Sequence, residues 1–324
     1  MVRRTLDLRR STPDPGDDQS IRTVLVALGA NLGVAVAKSV ASVLSGSASM
    51  VAEAAHSWAD TGNQVFLLIA DRRSRRPPDA RHPIGHGREA YVWSLLAAVG
   101  VFVVGASVSV WHGLTDILHG TSARGGYLVA YVVLAISFVM ESTSFLQAVR
   151  QLGGDARRYD RDLLEYALDT SDPTVRAVFA EDSGALIGIL IAATGIALHE
   201  VTGNALWDSL GSILVGVLLG VIAVILIDRN RRFLTGEPGF PELYDAAAAR
   251  IRELPDVAAV RFVRLVFVGP KQLFLVASVD LVGDQPESQI GHTLRRLEHE
   301  LTANPHIADA VLTIAEPDDP AADH

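Results

Sequence analysis

Six apolar runs, at roughly 21–45, 48–71, 90–118, 126–149, 174–199 and 205–228, constrain this 324-residue chain more than any other feature. Each holds about 20 residues or more, enough at 1.5 Å per residue to cross a hydrocarbon core of about 30 Å. From about residue 237 the apolar density falls to that of an ordinary soluble domain. The order there reads helix 240–254, strand 257–267, strand 271–282, helix 286–303, strand 307–315, with Gly269-Pro270 as the hairpin signal. The chain is therefore expected to be an α-helical membrane protein of six transmembrane helices followed by an α+β domain. Its expected divisions are a tail (1–20), a transmembrane domain (21–232), an αββαβ dimerisation domain (237–316) and a tail (317–324). The first twenty residues are polar and charged, without the apolar core of a cleavable signal.

Charge sets the expected topology. Arg72, Arg73, Arg75, Arg76, Arg81 and Arg88 follow the second run. Arg150, Arg157, Arg158 and Arg161 follow the fourth, and Arg229, Arg231 and Arg232 the sixth. The alternate loops (45–49, 119–125 and 200–204) carry only Arg124. By the positive-inside rule both termini and the lobe face the cytoplasm. Of the net charge of −9, the segment from 237 onward carries 15 acidic and 7 basic residues, which argues against nucleic-acid binding. Arginine outnumbers lysine 26 to 2, pointing to a GC-rich bacterial source and hence the plasma membrane. With no cysteine, any metal must be held by His, Asp, Glu or backbone oxygen.

Ionisable residues inside such runs are costly and mark function by default. In the second run Glu53, His56, Asp60 and Asn63 are spaced i, i+3, i+7 and i+10, which places them on one helix face. An imidazole and a carboxylate one turn apart make half of a tetrahedral metal site. The fifth run carries Glu181 and Asp182, and Asp182 falls about 15 Å deep, level with His56 and Asp60. Ala54, Ala55, Ala59, Gly62, Ala180, Gly184 and Ala185 would let the two helices approach closely. Lys38 and Glu141 read as a structural ion pair or packing groups, and Asp208 as a structural residue near the outer end of its span. His112, His119 and His199 read as solvated at the outer surface. Residues 150–173, with apolar positions at 163, 164, 167 and 168, suit a short amphipathic helix.

The loop after the second run holds Asp79, His82 and His86, with Pro83 and Gly85 shaping a turn. A carboxylate with imidazoles at +3 and +7 can bind one metal ion, and equally can be merely solvated.

Two segments, Ser45-Gly-Ser-Ala-Ser-Met-Val-Ala-Glu-Ala-Ala-His-Ser-Trp-Ala-Asp60 and Arg81-His-Pro-Ile-Gly-His-Gly-Arg-Glu-Ala-Tyr-Val-Trp93, resemble the cation diffusion facilitator family. Asp172-Pro-Thr, Glu181-Asp182 and Asn204-Ala-Leu-Trp-Asp-Ser-Leu-Gly211 resemble the branch that includes the mitochondrial zinc transporter of animals. The resemblance spans about residues 21–316 and implies six spans, a ferredoxin-like cytoplasmic lobe and homodimeric, proton-coupled export of Zn²⁺ or of Mn²⁺, Fe²⁺, Co²⁺ or Ni²⁺. It places transport ligands at His56, Asp60 and Asp182, and a loop metal site at Asp79, His82 and His86. The family's remaining ligand position holds Val178, which cannot bind metal. Glu181, Glu53, Asn63 or a water can complete the set, with Glu181 first among them. The lobe's family ligands do not carry over: Arg261, Ser278 and Ile314 stand there, and His292, His299 and His306 read as helix-surface or turn residues. A lobe that dimerises without a dense metal cluster is expected.

Metal binding needs a neutral imidazole and ionised carboxylates, so it releases protons, and that linkage alone couples metal export to proton import. Nitrogen and oxygen donors suit Zn²⁺ and admit Fe²⁺, Mn²⁺, Co²⁺ and Ni²⁺. A non-transporting metal-binding membrane scaffold is a rival reading. A membrane-embedded metallohydrolase using His and Asp is a weaker rival, since neither His-Glu-x-x-His nor Gly-x-Ser-x-Gly occurs, and no enzyme is expected.

Overall fold

The computed structural model describes residues 17–119, 126–158 and 161–315. The expected tails and the loop carrying Arg124 lie wholly or mostly outside them. Two compact units are present: the described residues of Gly16–Arg72 with Tyr91–Arg231, and those of Arg73–Ala90 with Arg232–His324.

The first unit is helical: α1 (Asp17–Ser45), α2 (Ala48–Ser74), α3 (Glu89–Gly100), a π-helical stretch (Val101–Ala106), α4 (Ser107–His119), α5 (Tyr127–Arg158), α6 (Leu163–Asp169), α7 (Pro173–Thr202) and α8 (Leu206–Thr235). Among the described residues five helical stretches are long and apolar enough to cross a membrane: Leu28–Ser45, Glu89–His119, Tyr127–Arg157, Pro173–Thr202 and Leu206–Thr235. The sixth expected span, α2, is a 27-residue helix. It is long enough at about 40 Å, but the polar residues on its buried face keep it off that list. Val36, Val40, Leu190, Val217, Val221 and Val224 lie exposed on the outside of the unit. Small residues pack inside, among them Ala41, Ala52, Ala130 and Ala192. That inversion suits helices packed in lipid, where small residues let backbones approach.

Local chemistry fixes the helix ends. Asp172 caps α7, its carboxylate accepting from the backbone N–H groups of Thr174 and Val175, with Pro173 in the first turn. Gly203, at φ 68°, ends it in the left-handed conformation. Asp208 of α8 caps another helix: it accepts from Ser47 Oγ at 2.8 Å and from the backbone N–H groups of Ala48 at 2.7 Å and Ser49 at 3.2 Å. Its structural role is thus specific, closing the open N-terminus of α2. Arg176, fully buried, donates to the Thr170 carbonyl and to Asn230 Oδ1, each at 2.8 Å, and ties α7 to α8. The short helix expected within 150–173 is α6, which buries Tyr166 and Ala167 and leaves Leu164 exposed. His199 is buried rather than solvated, its ring edge-on to Tyr127, while His119 is exposed as expected.

The second unit contains α9 (Pro241–Arg252), β1 (Val257–Gly269), β2 (Gln272–Leu281), α10 (Glu287–Thr302) and β3 (Ile307–Ile314). The αββαβ order matches the sequence reading, with ends shifted by one or two residues. The sheet runs β1-β2-β3, with β1 antiparallel and β3 parallel to central β2. Alternate residues Leu273, Leu275, Ala277 and Val279 of β2 face the core with Val263, Leu265 and Phe267 of β1. Ile251 of α9 and Leu297 and Leu301 of α10 are buried as well. The hairpin turns through Pro270 and Lys271, whose φ of 57° is the left-handed value the third position of a type II turn demands. Residues 73–90 dock on this hairpin. A Cβ on Gly87 would sit 2.6 Å from the Val268 carbonyl oxygen and 2.7 Å from Gly269 Cα, so only glycine fits.

Candidate metal sites

Helix α2 carries the polar column. Glu53, His56 and Asn63 are buried on one face, with Asp60 partly buried beside them. His56 Nε2 lies 3.2 Å from Asp60 Oδ2. His56 Nδ1, Asp60 Oδ1 and Asp182 Oδ2 are buried without a hydrogen-bonding partner. Buried polar atoms are rarely left so. They are donor atoms of the kind a cation takes up.

From α7, Asp182 stands close enough to His56 and Asp60 to feel their charge, with Ser144 of α5 beside it. The three groups are not drawn together: among the described residues only the loop triad gathers three donor atoms within 4.8 Å. Helices α2 and α7 must close further for one ion to touch all three.

The other expected donors are engaged elsewhere. Both oxygens of Glu181 accept from Asn63 Nδ2, each at 2.5 Å, a link between α2 and α7. Glu53 accepts from Lys38 Nζ at 2.8 Å, a fully buried ion pair between α1 and α2. Lys38 is thus the structural ion-pair member the sequence suggested, with Glu53 as partner. Glu53 Oε1 points at Gly188 of α7, where a Cβ would sit 2.7 Å away. The close approach of α7 to α2 falls there. Gly184 instead packs on Ile222 of α8, and Gly62 faces open space. Val178 occupies α7 one turn before Asp182.

In the second unit, Asp79 organises the loop. Its Oδ1 accepts from the backbone N–H groups of Arg81 and His82, both at 2.8 Å, and lies 3.1 Å from His82 Nδ1. Oδ2 lies 3.1 Å from His86 Nε2. The Arg81 and His82 N–H groups hold this carboxyl below the usual aspartate range. The two imidazoles stack at 4.0 Å, and Gly85 turns the chain between them at φ 88°. Sequence reasoning passed over Glu89, whose Oε1 sits 3.2 Å from His86 Nδ1 and fixes the ring from its far side. A carboxylate behind a ligating histidine is a common supporting partner of metal sites. Its signal was the i, i+3 spacing to His86.

Long apolar helices enclosing an imidazole and several carboxylates define a multi-pass membrane protein built to handle cations. The chain belongs to the cation efflux family, whose transmembrane-domain model matches residues 24–234. These are transport proteins, not enzymes. It is 36% identical over 262 residues to the human "proton-coupled zinc antiporter SLC30A9, mitochondrial", covering 81% of this chain and 46% of that protein. With Arabidopsis thaliana "metal tolerance protein C4" the identity is 34%, over 82% and 58%. With the Escherichia coli "zinc transporter ZitB" it is 27%, over 79% and 76%. The chain spans about half the length of the first two relatives.

Proposed function

We propose that this protein exports divalent metal cations, Zn²⁺ foremost, by exchange for protons through alternating access. The observation that carries the reading is fully buried His56, paired with Asp60 at 3.2 Å through Nε2, its Nδ1 unpartnered, and within charge range of Asp182. Metal is held by His56, Asp60 and Asp182 with Glu181 beside them, and α2 takes its place as the sixth span. Loading expels protons from these groups; protonation from the opposite side expels the metal. The human relative's name, a proton-coupled zinc antiporter, and the bacterial zinc transporter support this cargo and coupling.

Both termini and the α9–β3 lobe face the cytoplasm of a bacterial plasma membrane, and the lobe pairs two copies into a homodimer. The loop triad of Asp79, His82 and His86 binds a further Zn²⁺ ion. With Val178 at a usual ligand position, the oxygen-rich donor set also admits Fe²⁺, Mn²⁺, Co²⁺ or Ni²⁺.

The test is zinc flux in proteoliposomes with an imposed pH gradient. The parent protein moves zinc against the proton flow, and collapse of the gradient stops net movement. If Asp60→Ala carries zinc as fast as the parent, the site assignment fails. If the parent binds zinc without moving it, the protein is a scaffold.

A further inference from the structure

Position 178 leaves the α2–α7 site one donor short, and the structure offers a carboxylate from a third helix. Glu141 of α5 forms no hydrogen bond or ion pair among the described residues. Its charged neighbours are Asp60, Lys38, His56 and Glu53, and it is in turn a neighbour of Asp182 and Glu181.

Packing explains the placement. Phe145 and Phe179 pack with ring centroids 5.6 Å apart and planes tilted by 30°, joining antiparallel α5 and α7. Four residues back along α5 is Glu141, and three residues on along α7 is Asp182. Both steps run the same way, about 6 and 4.5 Å, and bring the two carboxylates to one level. Ser144, one residue before Phe145, also lies beside Asp182. Lys38 is engaged by Glu53 and Glu181 by Asn63. Glu141 is left as an uncommitted acid within charge range of His56 and Asp60. A carboxylate kept at membrane depth without a partner is expensive.

We infer that Glu141 supplies the fourth donor for the divalent cation, doing from α5 what position 178 cannot do from α7. The inference rests on reading the His56–Asp60–Asp182 cluster as the transport site. The site then spans three helices, with one nitrogen and three oxygen donors, and its closure draws α5 inward with α7. Asn63 keeps Glu181 out of the coordination sphere.

The experiment uses the full chain with the loop triad disabled (D79N, H82A, H86A), so that zinc reports only on the intramembrane donors. Zinc affinity is measured by equilibrium dialysis, and coordination by zinc-edge X-ray absorption. Glu141→Gln is expected to weaken zinc binding by about tenfold or more, as loss of a ligand does at least as severely as loss of a supporting group. Glu141→His is expected to retain zinc and to add one imidazole to the coordination shell, a signature no packing role produces. An unchanged imidazole count in Glu141→His, or parental affinity in Glu141→Gln, overturns the role of Glu141. Asp60→Asn separates the two levels: if it weakens zinc while Glu141→Gln does not, only Glu141 is excluded. If Asp60→Asn also binds zinc normally, the transport-site reading itself falls.

Discussion

Lys38 Nζ sits 2.8 Å from Glu53 Oε2, with both side chains sealed from solvent, so α1 and α2 are joined by a charge pair beside the candidate metal site. Removing one partner leaves the other buried and uncompensated. Lys38→Met is therefore expected to cost about 3–5 kcal/mol, and Lys38→Met with Glu53→Met to recover most of it. Thermal unfolding of the purified protein in detergent checks both. Equal losses in the single and double variants would show that the pair is not coupled.

Gly87 lies against the β1–β2 hairpin with no room for a side chain. Gly87→Ala forces backbone apart from backbone, at about 1–3 kcal/mol. The expected outcome is faster proteolysis within 73–90 and a lowered unfolding temperature. Gln272→Ala, which trims a flexible neighbour of Gly87, is expected to change neither.

Asp208 satisfies two backbone donors and a hydroxyl at the start of α2. Asp208→Ala is expected to cost about 2 kcal/mol, the upper end for a lost cap, because the site is buried. Asp208→Asn keeps one acceptor and should fall between the two in melting temperature.

Asp79 has a carboxyl held below the usual aspartate range by the N–H groups of Arg81 and His82. A depressed folded-state value means its contribution is complete above the unfolded value of about 3.9 and is lost progressively as pH falls from there through the folded one. Between pH 5 and 8 the loop turn is expected to be insensitive to Asp79, and its order to persist below the ordinary aspartate range. Amide hydrogen exchange at Arg81 and His82 reads this directly. Loss of protection complete by pH 4 would contradict it.

Much of the architecture was legible because apolar runs and turn chemistry are local. Leu273, Leu275, Ala277 and Val279 alternate as a strand should, and Asp172-Pro173 announces α7. Helices α5, α7 and α8 outrun their apolar segments because backbone hydrogen bonding continues past the end of the greasy face. The site was half legible. The i, i+4 spacing of His56 and Asp60 is a property of one helix and so can be read from one stretch of sequence. Which carboxylate meets which cation across helices is not: Lys38 of α1 holds Glu53 of α2, and the Phe145–Phe179 contact sets the level of Glu141 of α5 near Asp182 of α7. His199 likewise looked superficial, because helix packing buries it.

The central claim is that one divalent ion is gripped between α2 and α7. Anomalous scattering at the zinc edge from zinc-loaded crystals tests it most directly. The account predicts a peak about 2.0–2.2 Å from a ring nitrogen of His56 and from carboxylate oxygens of Asp60 and Asp182. Zinc at Asp79, His82 and His86 with none between α2 and α7, and Asp182 turned away from His56, would contradict it.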